Sequence, residues 1–115
     1  MTPKTNSWQD IYLRLRQFSR VSQGVLIIIG GGLLQLRAVE EAQKYGLFTV
    51  VTDANPDCVC SGKADFFVPL DIFDIDGHIK LALELLRRQI NLRGVFVAGI
   101  DASVTGANTA KIANL

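Results

Sequence analysis

The sequence predicts an α/β fold, in which helices cover both faces of a parallel sheet, and three observations predict it. Short runs of β-branched and leucine residues alternate with longer segments of helical periodicity. Three consecutive glycines, Gly30 to Gly32, follow the first of these runs. The 115 residues are about the length of one domain, and a composition of 49% apolar and 20% charged residues suits a single hydrophobic core.

Residues 1–24 are predicted to form an extension that contains an amphipathic helix. Ser7 and Asp10 have the spacing of a capping box, and the helical periodicity continues to about Arg20. Its apolar stripe consists of Trp8, Ile11, Tyr12, Leu15 and Phe18. Such a stripe needs a partner, which could be the main domain, a second copy of the chain in a homodimer, or a neighbouring domain. Docking on its own domain is the expectation, with Arg14, Arg16 and Arg20 on the solvated face.

The next segment predicts a right-handed βαβ unit. Val25 to Ile29 is a continuous apolar run ended by glycines, which is typical of a parallel strand buried on both faces. A helix over 33–45 follows, and Gly46 stands where a C-cap glycine belongs. Its predicted apolar stripe consists of Leu36, Val39 and Ala42, flanked by Leu33 and Leu34. Leu47 to Thr52 is predicted as the second strand.

Two further strands and two further helices are predicted downstream. Phe66 to Leu70 is the third strand, and either Asp74 or Asp76 caps the helix that follows it. The predicted buried face of this helix consists of Ile75, Ile79, Ala82, Leu83, Leu86 and Ile90. Val95 to Ala98 is predicted as the fourth strand, and residues 102–115 as a last helix. Residues 25–115 are therefore expected to form a Rossmann-like three-layer domain with the strand order 3-2-1-4.

Polar and glycine-rich segments are predicted to meet at one edge of this sheet. Parallel α/β sheets bind ligands beyond the carboxyl ends of their strands. The segments that reach this edge are the glycine turn Gly30 to Gly32, then Asp53 to Asp57, and then Ala98 to Asp101. The sequence therefore predicts the ligand-binding edge of the sheet here.

Charge and residue usage exclude several classes of function. The formal net charge is +1, so nucleic acid and anionic membranes are not expected partners. No secretion signal pattern opens the chain, and a cytoplasmic location is expected. Cys58 and Cys60 are too few and too close for a disulfide framework, and no metal site is expected. The single histidine, His78, is predicted to be a surface residue of its helix.

The glycine turn fits the dinucleotide-binding pattern only in part. Gly30 and Gly32 match the first two glycines of G-x-G-x-x-G, but Gln35 takes the place of the third small residue. Asp53 lies about twenty residues further on, where a dinucleotide enzyme holds a ribose diol. The same Asp53 could instead form an Asx turn with the residues that follow it. Gln35 could be either a solvated residue of the first helical turn or a ligand contact.

The motifs taken together resemble the N-terminal domain of the ATP-grasp superfamily. The resemblance rests on GGGLLQLRAVEEAQKYG, VVTDANPD, KADFFVPLD and FVAGIDASVTGANTAKIANL, which occur in order from about Val25 to Leu115. Within the superfamily, the sequence is similar to three groups: carbamoyl-phosphate-synthase-like ligases, biotin carboxylase, and purine-pathway enzymes that act on phosphoribosyl amines. Two features depart from the pattern: Arg37 replaces a proline or small residue, and the helix over 7–20 lies outside the usual boundary.

The resemblance implies a function and a set of contacts. The parent enzyme would activate a carboxylate as an acyl phosphate and join it to an amine or another nucleophile, releasing ADP. ATP and Mg²⁺ would lie on C-terminal ATP-grasp domains absent from this chain, so the chain alone is expected to be catalytically inactive and to hold no cofactor. By this resemblance, the backbone of Gly30, Gly31, Gly32 and Leu33 would contact the carboxylate or amine substrate, and Asp101 would add a polar contact. Asp53 is a further contact that matches the family pattern less closely.

Two other classes of function stay open on the sequence. One is a small NAD(P)- or nucleotide-binding Rossmann module, and the other is a noncatalytic interaction domain that uses the helix over 7–20. The last predicted helix ends without a capping glycine, so the chain is expected to be a fragment of a longer protein, with a natural short protein as the alternative.

Overall fold

The computed structural model describes residues 24–97 and 102–115, and in them strands and helices alternate along the chain. The strands are β1 (Val25–Ile29), β2 (Phe48–Asp53), β3 (Phe66–Pro69) and β4 (Leu92–Phe96). The helices are α1 (Leu33–Lys44), α2 (Ile75–Arg87) and α3 (Ser103–Ile112), and a short 3₁₀ helix covers Val59–Gly62. The helix predicted over 7–20 lies outside the described residues.

The four strands form one parallel sheet in the order β3-β2-β1-β4, which confirms the predicted Rossmann-like fold. β1 is central, and its Val25 pairs with Phe48 of β2 and with Leu92 of β4. All five residues of β1 are apolar and four of them are buried, as a strand covered on both faces requires. Because the strands are parallel, the glycine turn after β1 and Asp53 at the end of β2 reach the same edge of the sheet.

Each face of the sheet has its own hydrophobic core. On one face, Ile27 and Ile29 of β1 pack with Leu81 and Leu85 of α2 and with residues that flank α3. On the other face, a smaller core joins β1, β2 and β3 to α1 and the 3₁₀ helix through Ile28, Val39, Val51, Cys60 and Phe67. Helices therefore lie on both sides of the sheet, as predicted.

The boundaries of β4 differ from the prediction. The strand was expected over Val95 to Ala98, but it covers Leu92–Phe96 and includes Arg93 and Gly94. Among the described strands β4 lies at one edge of the sheet and is paired on one side, and the exposed Arg93 is tolerated there. The continuous apolar pattern of a central strand therefore does not apply to it.

The buried face of α2 is also rotated from the predicted one. His78, Leu81, Ala82 and Leu85 are buried. Leu83 and Leu86, which were predicted to be buried, are 46% and 38% exposed. The prediction that His78 lies on the surface is wrong, because His78 is fully buried between α2 and β2 and both of its ring nitrogens are hydrogen-bonded. Asp74, and not Asp76, caps the helix by accepting a hydrogen bond from the amide of Gly77 at 2.8 Å.

Candidate ligand-binding edge of the sheet

The glycine turn leaves β1 through a backbone conformation that side chains rarely adopt. Gly30 has a φ of +94°, and its amide donates to the carbonyl of Thr52 at 2.7 Å. This positive φ favours glycine because a Cβ atom would clash with the backbone. The turn therefore extends the pairing of β1 and β2 by one residue and then bends sharply into α1.

Gly31 is required for another reason, which is close packing. A Cβ atom on Gly31 would lie 2.6 Å from the Sγ of Cys58 and 3.0 Å from a methyl group of Val51. The carbonyl of Gly31 accepts a hydrogen bond from the amide of Cys60 at 2.9 Å. The loop after β2 thus packs directly against the glycine turn and fixes its position.

Asp53 joins the end of β2 to the glycine turn. One carboxylate oxygen accepts from the amide of Gly31 at 2.9 Å, and the other accepts from the amide of Asn55 at 2.9 Å. The second bond is the Asx turn that the sequence left open, and Asn55 repeats it by accepting from the amide of Asp57. Both oxygens of Asp53 therefore bind backbone amides of this edge.

Gln35 is not a solvated residue of the first helical turn. Its side chain is only 2% exposed, and its Oε1 accepts from the amide of Gly32 at 2.9 Å. The backbone amide of Gln35 in turn donates to the carbonyl of Gly32. This reciprocal pair is a capping arrangement that starts α1. The signal in the sequence was the three-residue spacing between Gly32 and Gln35.

The two cysteines are free thiols that support the turn. Cys60 is fully buried, and its Sγ donates to the carbonyl of Gly32 at 3.4 Å. Burial and the nearby Cys58 and Asp53 raise the pKa of Cys60 to about 11. Burial, followed by the charge of Asp53, also raises the pKa of Cys58. Both groups are therefore neutral thiols near pH 7, which is not the state of a nucleophile.

His78 connects α2 to the same edge. Its Nδ1 lies 2.8 Å from the carbonyl oxygen of Asp74, so Nδ1 carries the ring proton and donates. Its Nε2 then accepts from the hydroxyl of Thr52 at 2.8 Å. Burial lowers the pKa of His78, which agrees with a neutral ring in this position. Thr52 therefore binds the glycine turn through its carbonyl group and α2 through its side chain.

Large apolar side chains surround this edge. Leu33 opens α1 and is 74% exposed, Phe73 precedes α2 and is 61% exposed, and Val104 is the second residue of α3 and is 62% exposed. Each belongs to a segment that follows the carboxyl end of a strand. The amide of Leu33 belongs to the first helical turn, in which N–H groups have no acceptor within the helix.

The structure brings together five of the six predicted site residues. Gly30, Gly31, Gly32 and Leu33 form the turn and the start of α1, and Asp53 binds the turn directly. Asp101 lies outside the described residues. Among residues 24–97 and 102–115, no group of three histidine, cysteine or acidic side chains could hold a metal ion. No helix in these ranges has the length and apolar character needed to cross a membrane.

Comparison with known proteins gives a match to one solved structure. No family model matches the sequence, and no curated protein matches it. The crystal structure of phosphoribosylglycinamide synthetase from Anaerococcus prevotii matches with a TM-score of 0.64 and 27% sequence identity over 80% of this chain. The chain spans 23% of that synthetase, which is an ATP-grasp enzyme. The match supports an ATP-grasp-related domain.

Proposed function

We propose that this chain is the N-terminal, substrate-side domain of an ADP-forming ATP-grasp ligase of the carbamoyl-phosphate-synthase-like kind. Such a ligase would join a carboxylate to an amine or another nucleophile. The observation that carries the proposal is the similarity to phosphoribosylglycinamide synthetase, at 27% identity over 80% of the chain. On this proposal ATP and Mg²⁺ bind to C-terminal ATP-grasp domains of the parent protein, and the chain alone has no activity.

The exposed side chains at the carboxyl edge support a covering domain. Leu33, Phe73 and Val104 each expose more than three-fifths of their surface there. These three side chains belong to segments that leave the same edge of the sheet, and a further domain that covered this edge would gain free energy by burying them. In the proposed ligase, the ATP-grasp domains cover this edge and enclose the substrate.

The hydrogen bonds of the glycine turn indicate which groups would contact the substrate. The amides of Gly31 and Gly32 already donate to Asp53 and Gln35. The amide of Leu33 belongs to the first turn of α1, where a helix attracts anionic groups. We therefore assign the substrate contact to the amide of Leu33 and give the three glycines and Asp53 the role of positioning it.

The same hydrogen bonds disfavour the dinucleotide alternative. A ribose diol would need the oxygens of Asp53, and because each already accepts one backbone amide, the diol would have to share them with the glycine turn. A pyrophosphate at Gly31 would also meet the carboxylate that binds its amide, and the two negative charges would repel each other. NAD would therefore bind here only against this repulsion, with the Asp53 oxygens shared between the diol and the backbone.

Amide chemical shifts of the isotopically labelled chain test the proposed contact. Titration with acetate, as the simplest carboxylate, should shift the amide signal of Leu33 and leave that of Gly46, at the opposite edge, in place. The same titration with NADH should shift neither. Shifts at Gly31 and Asp53 with NADH, abolished by Asp53→Ala, would instead support the dinucleotide module.

An assay of ADP release tests the assignment of catalysis to other domains. With ATP, Mg²⁺, carboxylates and amines supplied, the chain alone should release ADP at the rate of a protein-free control. Release above that rate, retained through purification, would contradict the proposal. This outcome would place the nucleotide site within these 115 residues.

A further inference from the structure

The described residues leave an apolar groove on the α1 side of the sheet. Its volume is about 520 Å³, and it lies between one flank of α1 and the sheet surface formed by β1 and β4. The residues that line it are Leu26, Leu34, Arg37, Ala38, Glu41, Ala42, Tyr45, Leu47 and Phe96. Leu34 and Tyr45 are 71% and 78% exposed, so the α1 side of the groove presents uncovered apolar surface.

The groove lies where the layer of helices built by residues 24–97 and 102–115 is incomplete. On the opposite face of the sheet, α2 and α3 lie side by side and pack against each other and on the strands. On this face, the described residues place only α1 and the 3₁₀ helix, which cover β1, β2 and β3. The surface beside β4 is therefore the place where a second helix would complete the layer.

We propose that the amphipathic helix predicted over residues 7–20 occupies this groove in the same molecule. Its apolar stripe, from Trp8 to Phe18, extends over ten helical steps, or about 15 Å. The α1 wall of the groove, from Leu34 to Tyr45, extends over eleven steps, or about 16 Å. The stripe and the groove therefore agree in length and in apolar character. This inference does not depend on the proposed ligase function.

The short connection to β1 places the end of this helix at the groove. Only residues 21–23 separate Arg20 from Gly24, and three residues reach about 10 Å when extended. The carbonyl of Gly24 accepts from the amide of Phe48, the residue that follows Leu47 of the groove. The connection is therefore long enough to bring residue 20 to this end of the groove.

The same connection fixes the direction of the helix. It must end near the start of β1, so it runs against β1 and in the same direction as α1, with Trp8 near Leu34 and Phe18 near Tyr45. In this direction Arg14 lies level with Glu41 on the rim, where opposite charges attract. The reverse direction would place Arg16 level with Arg37, and these like charges would repel each other.

Trp8 provides the test, because it is the only tryptophan of the chain. In the full chain its fluorescence emission should lie to the blue of a solvated tryptophan, and acrylamide should quench it weakly. Leu34→Lys places a charge in the groove, and it should shift the emission to the red and raise the quenching constant several-fold. Because Leu34 is mostly exposed, the variant should keep its fold, which circular dichroism checks.

Leu33→Lys is the matched control. Leu33 is the preceding residue of α1 and is 74% exposed, but it does not line the groove. Its substitution should leave the emission and quenching of Trp8 unchanged. A solvated Trp8 in the unchanged chain, or equal effects of the two variants, would overturn the proposal. A blue-shifted emission that is lost on dilution would also overturn it, because the helix would then cover a second copy of the chain.

Discussion

The glycine turn depends on two residues that exclude a side chain for separate physical reasons. Gly30 adopts a positive φ, whereas Gly31 does not, and a Cβ atom there would instead meet Cys58 and Val51. The first restriction is conformational and would oppose most side chains. The second depends on the neighbours, so a smaller neighbour should relieve it.

Gly31→Ala is predicted to destabilise the domain by about 1–3 kcal/mol, the usual cost of overpacking. The new Cβ would lie 2.6 Å from the Sγ of Cys58. Cys58→Ala removes this sulfur, so the double variant should recover part of the loss. Urea unfolding of the single and double variants measures the coupling. Gly62→Ala is the control, because no atom lies within 4 Å of its new Cβ, and a similar loss there would contradict the packing argument.

His78 is predicted to make the stability of the domain depend on pH. Burial lowers its pKa in the folded state, so below about pH 6.5, the ordinary histidine pKa, the unfolded chain binds more protons than the folded one. The free energy of unfolding should therefore fall as the pH is lowered from about 8 to about 5, the range in which imidazole titrates.

His78→Gln provides the comparison, because it removes the only imidazole of the chain. Urea unfolding of both proteins across this pH range should give a smaller slope for the variant. The carboxyl groups titrate in both proteins and cancel in the comparison. Equal slopes would show that the buried ring does not carry the pH dependence.

At the scale of elements, the structure shows which of two acidic residues caps α2, a choice that the sequence left open. The Oδ1 of Asp74 accepts from the amide of Gly77, whereas Asp76 lies in the first helical turn. Asp74→Ala should lower the free energy of unfolding by about 1 kcal/mol, the typical value of an N-cap. Asp76→Ala should cost only about 0.3 kcal/mol, through the helix dipole. Thermal unfolding compares the variants, and equal losses would contradict the assignment of the cap.

The order of the elements could be predicted from the sequence because each depends on local pattern. Residue types and their spacing predicted the buried strand β1, the helix α1 and the glycine that ends it. The structure gives this glycine, Gly46, a positive φ. The strand order followed from the handedness of parallel connections. Local chemistry was sufficient for these features.

The buried polar residues could not be predicted in the same way. His78 has helical spacing with Leu81, Ala82 and Leu85, which was a usable signal, but its burial depends on the hydroxyl of Thr52 on another element. Asp53 was located at the correct edge, but its bond to Gly31 spans 22 residues. Such bonds depend on how the elements pack, and residue spacing along the chain does not determine them.

At the scale of the whole molecule, one network of hydrogen bonds joins both layers of helices to the carboxyl edge. Gly30 binds the carbonyl of Thr52, the hydroxyl of Thr52 binds His78, and His78 binds the carbonyl of Asp74 before α2. On the other side, Asp53 and Gln35 hold the turn that starts α1. The edge is therefore a preorganised surface, in which the backbone is fixed while apolar side chains remain exposed.

The apolar side chains of this edge should serve binding and contribute little to the stability of the domain. Changing Leu33, Phe73 and Val104 together to serine should alter the free energy of unfolding by about 0.5 kcal/mol or less per site, since exposed positions cost little. The triple variant should also bind less of a dye that fluoresces on apolar surfaces. Leu83→Ser, on the outer face of α2 and 46% exposed, should leave dye binding almost unchanged. The triple variant could instead lose far more free energy of unfolding than the sum of these small costs. In that case the three side chains stabilise the fold itself, and the edge is not a surface kept for a partner domain.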